Sequence, residues 1–284
     1  MRPTRVALSI VVAALALVLA GGAPSRPTGR VVDVGFRSVA IGGKLRLAVY
    51  LPPGYDRSGL RYPVVYFLHG LPAPATAYRG IDFLRRALER TGRAALIVAP
   101  QGARAGDTDA EYLDWGPGRR WESAIAGEVP AFVDAHFRTI PNRRARAIVG
   151  LSAGGYGAVL VALHHLGRFS VVESWSGYFH PTTPDGREAL DLGSAARNAH
   201  ASAHAFVSSL RTAFAKRPTF FAFYVGRGDD RFRDENEQLN RELVAARVPH
   251  VFHVYPGGHE ETVWSGHARA WLGLALDHLD QPAH

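Results

Sequence analysis

The chain has 284 residues, 47% of them hydrophobic, which is enough for one sizeable core or two domains at most. It has no cysteine, which excludes disulfide bonds and lipidation of a cysteine at a cleavage site. The formal net charge is +8, but lysine stands only at positions 44 and 216 and the arginines are scattered without a basic run. We therefore expect no nucleic-acid partner.

The N-terminal residues predict an exported protein. A positively charged start precedes an apolar run over residues 6–20 and small residues at 21–23. This order is typical of a secretory signal peptide, and the run is shorter than the roughly 20 residues of a spanning helix. We expect a signal peptide at 1–23 that is cleaved, rather than an uncleaved anchor, then a linker at 24–30 and one domain at 31–284. The protein would be secreted or associated with the cell envelope, with no stable membrane span after cleavage.

Strand-like segments follow one another from residue 31 onward. The first two alternate polar and apolar residues and meet at Gly42-Gly43, which predicts a hairpin. Several of the others are short apolar runs typical of strands buried on both faces. The predicted strands are 31–41, 44–51, 62–68, 94–99, 145–150, 171–175, 219–225 and 250–255.

Helices are predicted between most of these strands, at 78–91, 122–137 with a bend at Pro130, 153–166, 195–214, 235–246 and 262–279. Two stretches show no regular period. Gln101–Trp121 is expected to be a long surface loop over the site, and His180–Arg217 an excursion that shapes substrate access. Strands alternating with helices predict an α/β fold, with a mostly parallel central sheet, antiparallel at its start, and helices on both faces.

The strand at 145–150 ends in a motif that suits a nucleophile. Gly150-Leu151-Ser152-Ala153-Gly154 stands between this strand and a helix, which is the setting of a G-x-S-x-G nucleophile elbow. Small residues let strand and helix approach closely, and the tight turn lifts the serine hydroxyl above the sheet. Ser152 is the predicted nucleophile. The alternative is a solvent-exposed serine on a glycine-rich turn.

A base and an acid follow in the order expected of a hydrolase. Catalytic groups in such a sheet lie just beyond the carboxyl ends of strands. Asp229 follows the strand at 219–225, and His259 follows Gly257-Gly258 after the last strand. The imidazole can take the serine proton and return it, while a buried carboxylate orients the ring. Asp230 is the competing acid, and Asp229 is favoured because it lies nearer the strand end.

The remaining site predictions concern the oxyanion and the substrate. Two converging N–H donors are needed, and we expect them at Ala153, after the nucleophile, and at Leu71, which follows His69-Gly70. Three aromatic residues are candidates for lining a substrate pocket, although packing of the loop is the favoured interpretation. They are Tyr112, Trp115 and Trp121.

Because the chain has thirteen histidines, any single histidine is weak evidence for a metal site. Five are expected on helix surfaces, namely His164, His165, His200, His204 and His267. His200 and His204 have the spacing of metal ligands, but no third ligand stands out. His259-Glu260 lacks the second histidine of an H-E-x-x-H motif. We expect neither a metal nor a cofactor.

Several pieces of the chain together carry a family resemblance. They are Phe67-Leu68-His69-Gly70, Gly150-Leu151-Ser152-Ala153-Gly154-Gly155, Ser176-Gly177, Gly226-Arg227-Gly228-Asp229 and Tyr255-Pro256-Gly257-Gly258-His259 with Trp264 behind it. This ordered set resembles the esterase family of α/β-hydrolases that includes esterase D and other S-formylglutathione hydrolases, feruloyl esterases and the antigen 85 mycolyltransferases.

The resemblance implies an α/β-hydrolase fold from about residue 31 to the end. It implies Ser152 as nucleophile, His259 as base, Asp229 as the acid that closes Gly-x-x-Asp, and Leu71 and Ala153 as oxyanion donors. This chain departs from two branches of the family. The mycolyltransferases use a glutamate as acid, whereas the acid expected here is an aspartate, which favours the esterase branch. The formylglutathione hydrolases act in the cytoplasm and often carry cysteine, whereas this chain is expected to be exported and has none, which disfavours a glutathione thioester as substrate.

The leading hypothesis is a secreted serine esterase that acts on a small-molecule or cell-envelope ester through an acyl-enzyme on Ser152. The first alternative is an acyltransferase, similar to the mycolyltransferases, that passes the acyl group to a sugar hydroxyl. The second is a non-catalytic envelope-binding protein that keeps the fold. The presence of Ser152, Asp229 and His259 together disfavours this last hypothesis.

Overall fold

The computed structural model describes residues 28–104, 106–107, 111–183 and 186–284, so the predicted signal peptide and most of the linker lie outside the described residues. Eight strands in the described part form one sheet. They are β1 (Arg30–Ser38), β2 (Gly43–Leu51), β3 (Val64–Leu68), β4 (Leu96–Pro100), β5 (Arg146–Leu151), β6 (Val171–Trp175), β7 (Phe220–Gly226) and β8 (Val251–Tyr255).

The strand order in the sheet is β1-β2-β4-β3-β5-β6-β7-β8. β2 pairs antiparallel with both β1 and β4, and every later pairing is parallel. The predicted sheet, mostly parallel and antiparallel at its start, is confirmed. Because the carboxyl ends of β3, β5, β6, β7 and β8 share one edge, the loops that follow them meet there.

Helices cover both faces of the sheet. They are α1 (Tyr55–Ser58), α2 (Asp82–Thr91), α3 (Trp121–Ser123), α4 (Val129–His136), α5 (Ala153–His164), α6 (Ala195–His200), α7 (Val207–Lys216), α8 (Arg233–Ala245) and α9 (Glu261–Asp277). Short 3₁₀ turns lie at Ala77–Arg79, Arg143–Ala145 and Ala203–Phe206, and a π-helical turn at Ala124–Glu128. No helix in the described ranges is long and apolar enough to cross a membrane.

Central strand β3 shows why the sheet needs helices on both sides. All five of its residues are buried. Val64, Tyr66 and Leu68 contribute to the core formed with α4, α5, α7 and α8, whereas Val65 and Phe67 contribute to the core formed with α2 and α9. Alternate side chains of a strand point to opposite faces, so a continuous apolar run fits only a strand covered twice.

The helix predicted at 122–137 is interrupted near Pro130. Pro130 has no N–H to donate to the Ala126 carbonyl. The turn Ala124–Glu128 before it is π-helical, and Val129 N–H bonds to the Ala124 carbonyl.

The helix predicted at 195–214 is three short helical segments, Ala195–His200, Ala203–Phe206 and Val207–Lys216. Tertiary hydrogen bonds occupy the backbone where it breaks. The Ala201 carbonyl accepts from Tyr156 Oη at 2.8 Å, and Ala203 N–H donates to the Phe179 carbonyl at 2.7 Å.

Candidate active site

Ser152 lies on the sharp turn between β5 and α5. Its backbone angles are φ 54° and ψ −125°, outside the regions that a serine ordinarily adopts. Ser152 N–H donates to the Trp175 carbonyl at 3.0 Å, and its carbonyl accepts from Gly155 and Tyr156 N–H at 2.8 and 3.1 Å. The strained residue is therefore held on both sides by backbone hydrogen bonds.

The glycines around Ser152 are required by close backbone approach. A Cβ on Gly150 would stand 2.0 Å from the Gly154 carbonyl oxygen, and a Cβ on Gly154 would stand 2.0 Å from the Leu68 carbonyl oxygen. A Cβ on Gly155 would meet Ser174 Oγ at 2.6 Å. The close packing of strand and helix predicted for Gly150 and Gly154 is confirmed.

The structure brings Ser152, His259 and Asp229 into one hydrogen-bonded chain. His259 Nε2 lies 2.9 Å from Ser152 Oγ, and His259 Nδ1 lies 2.7 Å from Asp229 Oδ2. Since a carboxylate only accepts, the proton of the neutral ring sits on Nδ1 and the lone pair of Nε2 faces the serine hydroxyl. This tautomer can accept the serine proton.

The two candidate acids have different environments. Asp229 is fully buried, and its second oxygen, Oδ1, accepts Phe232 N–H at 3.3 Å. Asp230 is exposed and makes no contact of this kind with His259 in the described structure. Both carboxylate oxygens of Asp229 are thus engaged, which fixes the direction in which it meets the imidazole.

Aromatic rings surround the imidazole of His259. Phe232 and Trp264 each lie 5.1 Å from it, centroid to centroid, in edge-on arrangements. Trp264 was part of the motif set in the sequence, whereas Phe232 carried no motif signal. These rings cover the polar chain and limit its access to water.

His69 fixes the loop expected to supply an oxyanion donor. Its Nδ1 donates to the Gly70 carbonyl at 2.8 Å, and its Nε2 accepts Gly102 N–H at 3.1 Å. Burial lowers the pKa of His69, so the ring is neutral and satisfied in this one tautomer. A Cβ on Gly70 would stand 3.3 Å from Ser152 Cβ, so the backbone that leads to Leu71 passes directly beside the serine.

The other predicted donor, Ala153, is the first residue of α5 and is fully buried. Leu71 packs against the apolar cluster that contains Ala153. The two expected donors therefore belong to segments that pack against each other beside Ser152.

The predicted surface loop 101–121 is exposed only in part, for example at Asp114, Pro117 and Arg119. Within its described residues, Glu111 and Tyr112 are buried, and Tyr112 Oη donates to the His69 carbonyl at 2.7 Å. Space for this ring exists because Gly102 and Gly157 lack side chains: a Cβ on either would come within 2.6 Å of a Tyr112 atom. The loop is anchored inward and supports the segment that precedes Leu71.

The three candidate pocket aromatics have different roles. Tyr112 and Trp121 are buried, which agrees with packing of the loop rather than with a substrate pocket. Trp115 does line a cavity of about 350 Å³, together with Leu113, Leu192 and Ala201 among others. That cavity also reaches His164 at the end of α5, about 16 Å from Ala153 at 1.5 Å per residue, so it extends well away from the nucleophile.

The expectation that five histidines lie on helix surfaces is wrong for His164, and His204 lies in the turn Ala203–Phe206 with its side chain 19% exposed. The His164 side chain is 6% exposed, and its two nitrogens lie 2.9 Å from Glu122 Oε1 and 2.9 Å from the His200 carbonyl. His165 meets the same Glu122 oxygen at 2.8 Å. Burial by itself would raise the pKa of Glu122, but the hydrogen bonds from both histidines outweigh it and lower that pKa to about 2.

Comparison with known proteins gives one family. A sequence profile of the family described as "Putative esterase" matches residues 38–268. An esterase of Mycobacterium tuberculosis is 34% identical over 142 residues, which are 50% of this chain and 31% of that protein. The S-formylglutathione hydrolase of Rattus norvegicus is 26% identical over 173 residues, 54% of this chain and 59% of that enzyme. The matched region thus spans about one third to three fifths of these curated relatives.

A solved structure of a ferulic acid esterase superposes with a TM-score of 0.76 at 23% identity, over 90% of this chain and 100% of that one. At that identity the similarity shows the fold, and it identifies the sheet and helices described above as an α/β-hydrolase fold.

Proposed function

The chain belongs to the Putative esterase family, and from this premise we propose that it is a serine hydrolase that cleaves carboxylic esters through an acyl-enzyme on Ser152. The observation that carries the proposal is the hydrogen-bonded chain from Ser152 Oγ through His259 to Asp229. Its geometry is that of a nucleophile, a general base and an orienting carboxylate.

The proposed reaction uses these three residues in two half-reactions. Ser152 Oγ attacks the ester carbonyl carbon while His259 Nε2 takes its proton. The tetrahedral intermediate collapses, the C–O bond to the alcohol breaks, and His259 returns the proton to the departing oxygen. Water then repeats the sequence on the acyl-enzyme, with His259 as base, and releases the acid. Asp229 keeps the proton on Nδ1 and stabilises the imidazolium.

The negative charge of each tetrahedral intermediate needs donors beside Ser152. We assign the N–H groups of Ala153 and Leu71 to this task. The N-terminus of α5 adds the partial positive charge of its unpaired N–H groups. Neutral, buried His69 and the Tyr112 hydroxyl hold the preceding backbone in place and do not themselves react.

Ser152→Ala tests the proposal on short p-nitrophenyl esters. We expect kcat to fall by more than about 10³-fold, with the fold intact by circular dichroism, because the acyl-enzyme can no longer form. A fluorophosphonate probe should label the wild type on Ser152 and leave the variant unlabelled. Unchanged turnover in Ser152→Ala, or an unlabelled wild type with no esterase activity, would sink the proposal, and the latter would favour a binding protein.

Hydrolysis is proposed over transfer to a sugar hydroxyl because the acid is an aspartate, whereas the mycolyltransferases that the chain resembles use a glutamate. Product analysis with trehalose present separates the two. If the acyl group is recovered only as the free acid, hydrolysis is supported. If it is recovered as an ester of the sugar, the enzyme is a transferase and this choice is overturned.

We also propose that the enzyme is exported, with residues 1–23 removed as a signal peptide and the esterase domain over 31–284. The charge, apolar run and small residues of this segment support the proposal. N-terminal sequencing of protein recovered from the culture medium or envelope should begin near residue 24. A start at residue 1 in a cytoplasmic fraction would contradict it.

A further inference from the structure

A second cluster of titratable side chains lies outside the Ser152 site. His180 lies in the loop after β6, His204 lies in the turn Ala203–Phe206, and Glu235 is on α8. One ligand atom from each of these residues lies within 4.8 Å of the other two. The sequence spacing paired His204 with His200. The fold instead stacks His200 on His164 at 4.0 Å and brings His204 to two residues far from it in sequence.

The hydrogen bonds fix which nitrogen of His204 is free to act as a ligand. His204 Nδ1 lies 2.6 Å from Glu242 Oε2, so this nitrogen carries a proton and donates it. In the neutral ring, the lone pair of Nε2 then faces Glu235 Oε1 at 3.5 Å. Two acceptors pointing at each other favour a positive charge between them, supplied by a proton or by a metal ion.

Glu235 lies at the centre of the cluster. Its Oε1 accepts Phe179 N–H at 2.8 Å and lies 2.5 Å from His180 Nδ1. The carboxylate is therefore held toward both histidines, in the position of a shared ligand.

One of the three donor separations already suits a tetrahedral ion. With bonds of about 2.0 to 2.1 Å, neighbouring donors of a zinc site lie about 3.3 to 3.4 Å apart. The separation of His204 Nε2 and Glu235 Oε1 already matches this value. His180 Nδ1 must move away from Glu235 by about 0.8 Å and carry its proton on Nε2 instead. The His180 side chain is 36% exposed, which gives it room to move and gives an ion a path from solvent.

Groups that would orient the ligands are also present. Ligating histidines in metal sites commonly donate their other N–H to a carboxylate, which orients the ring and increases its basicity. Glu242 has this relation to His204, and Phe179 N–H orients the Glu235 carboxylate. A chance contact between two histidines and a glutamate would not require both supports.

We propose that His180, His204 and Glu235 form a binding site for a divalent transition-metal ion, zinc in the first instance, with solvent in the fourth position. Imidazole and carboxylate donors select zinc over calcium or magnesium, which prefer oxygen ligands alone. The ion would join the excursion after β6 to α8, the helix that follows Asp229. Its role is structural, since the ester-cleaving steps do not use it.

The test measures metal binding rather than esterase activity, on protein without a polyhistidine tag. Titration of the metal-free protein with ZnCl₂ should show one tight site, and Co²⁺ should give the visible absorption of a tetrahedral complex. Thermal melting at zinc concentrations about 100 times Kd should rise by about 5 to 10 °C. CaCl₂ should have no effect.

The variants separate this site from adventitious binding to other histidines. His180→Ala and His204→Ala should lose the tight site and the cobalt spectrum, and Glu242→Ala should bind about 10- to 100-fold more weakly. His136→Ala, which removes an exposed histidine on α4, should bind as the wild type does. His180 is the least buried of the three ligands, so its variant should fold even if His204→Ala does not.

Either of two outcomes would overturn the proposal. The first is an absence of stoichiometric zinc or cobalt binding by the wild type. The second is wild-type binding by His180→Ala, which would place the metal elsewhere.

Discussion

Asp229→Asn tests which of two adjacent carboxylates orients His259. The amide can present its NH₂ group to His259 Nδ1, which favours the tautomer with the proton on Nε2 and removes the lone pair that faces Ser152. It also removes the negative charge beside the developing imidazolium. In a serine protease the equivalent change lowers kcat by about 10⁴-fold, or about 5.4 kcal/mol at 1.36 kcal/mol per tenfold.

We expect a loss of about 10³- to 10⁴-fold in kcat here, because Asp229 is fully buried and no water can replace its charge. KM should change little, since the residue does not touch substrate in the proposed reaction. The assay is steady-state hydrolysis of p-nitrophenyl acetate from pH 6 to 9. The urea midpoint, measured in parallel, shows whether the variant is folded.

Asp230→Asn is the matched control, because it makes the same chemical change one residue away on an exposed side chain. Its kcat should stay within about twofold of the wild type. The reasoning fails if the two variants lose activity equally, or if Asp229→Asn keeps kcat within tenfold while folded.

Two further predictions concern residues that support the fold around the site. Tyr112→Phe should lower the free energy of unfolding in urea by about 1 to 3 kcal/mol, because it leaves the buried His69 carbonyl without its hydrogen bond. We also expect kcat to fall by a larger factor than KM rises. An unchanged urea midpoint would contradict this prediction. Glu122 has a depressed pKa of about 2 against an ordinary 4.5. Its stabilisation is therefore complete above about pH 4.5 and is lost as pH falls toward 2, by at most about 3 kcal/mol. Glu122→Gln should flatten stability against pH over that window in acid denaturation, and an unchanged slope would refute the assignment.

The parts of the fold that sequence predicts well are those determined by local pattern. β6 was predicted with its observed bounds, Val171–Trp175, and β5 was displaced by one residue. These runs are mostly apolar, and even Glu173 and Ser174 of β6 are buried, because both faces of a central parallel strand are covered. The close approach of strand and helix at Gly150 and Gly154 could also be predicted, since a G-x-S-x-G turn has a fixed relation to its strand and helix.

Long-range partners were much less predictable. Nothing near Tyr112 in the sequence indicates that its hydroxyl reaches His69, because the space for its ring is made by two distant glycines. The residues at 195–214 have helical composition, yet tertiary hydrogen bonds at Ala201 and Ala203 break the helix. Local propensity cannot anticipate a partner supplied from another part of the fold.

The segment between β6 and the excursion is fixed beside the site, because ring contacts join Tyr178 to the helix that follows Ser152 and, through Phe232, to His259. Tyr156, four residues after Ser152, stacks on Tyr178 at 5.2 Å. Tyr178 contacts Phe232 at 4.7 Å, and Phe232 in turn lies 5.1 Å from His259. Each such contact adds about 0.5 to 1.5 kcal/mol beyond apolar burial.

Two hydrogen bonds extend this connection to α8. The side-chain amide of Asn236 on that helix donates to the Gly177 carbonyl at 2.7 Å, and Phe232 N–H at the start of the helix donates to the Asp229 carboxylate. A displacement of Tyr178 would therefore disturb the helix of the nucleophile, the base and the acid together.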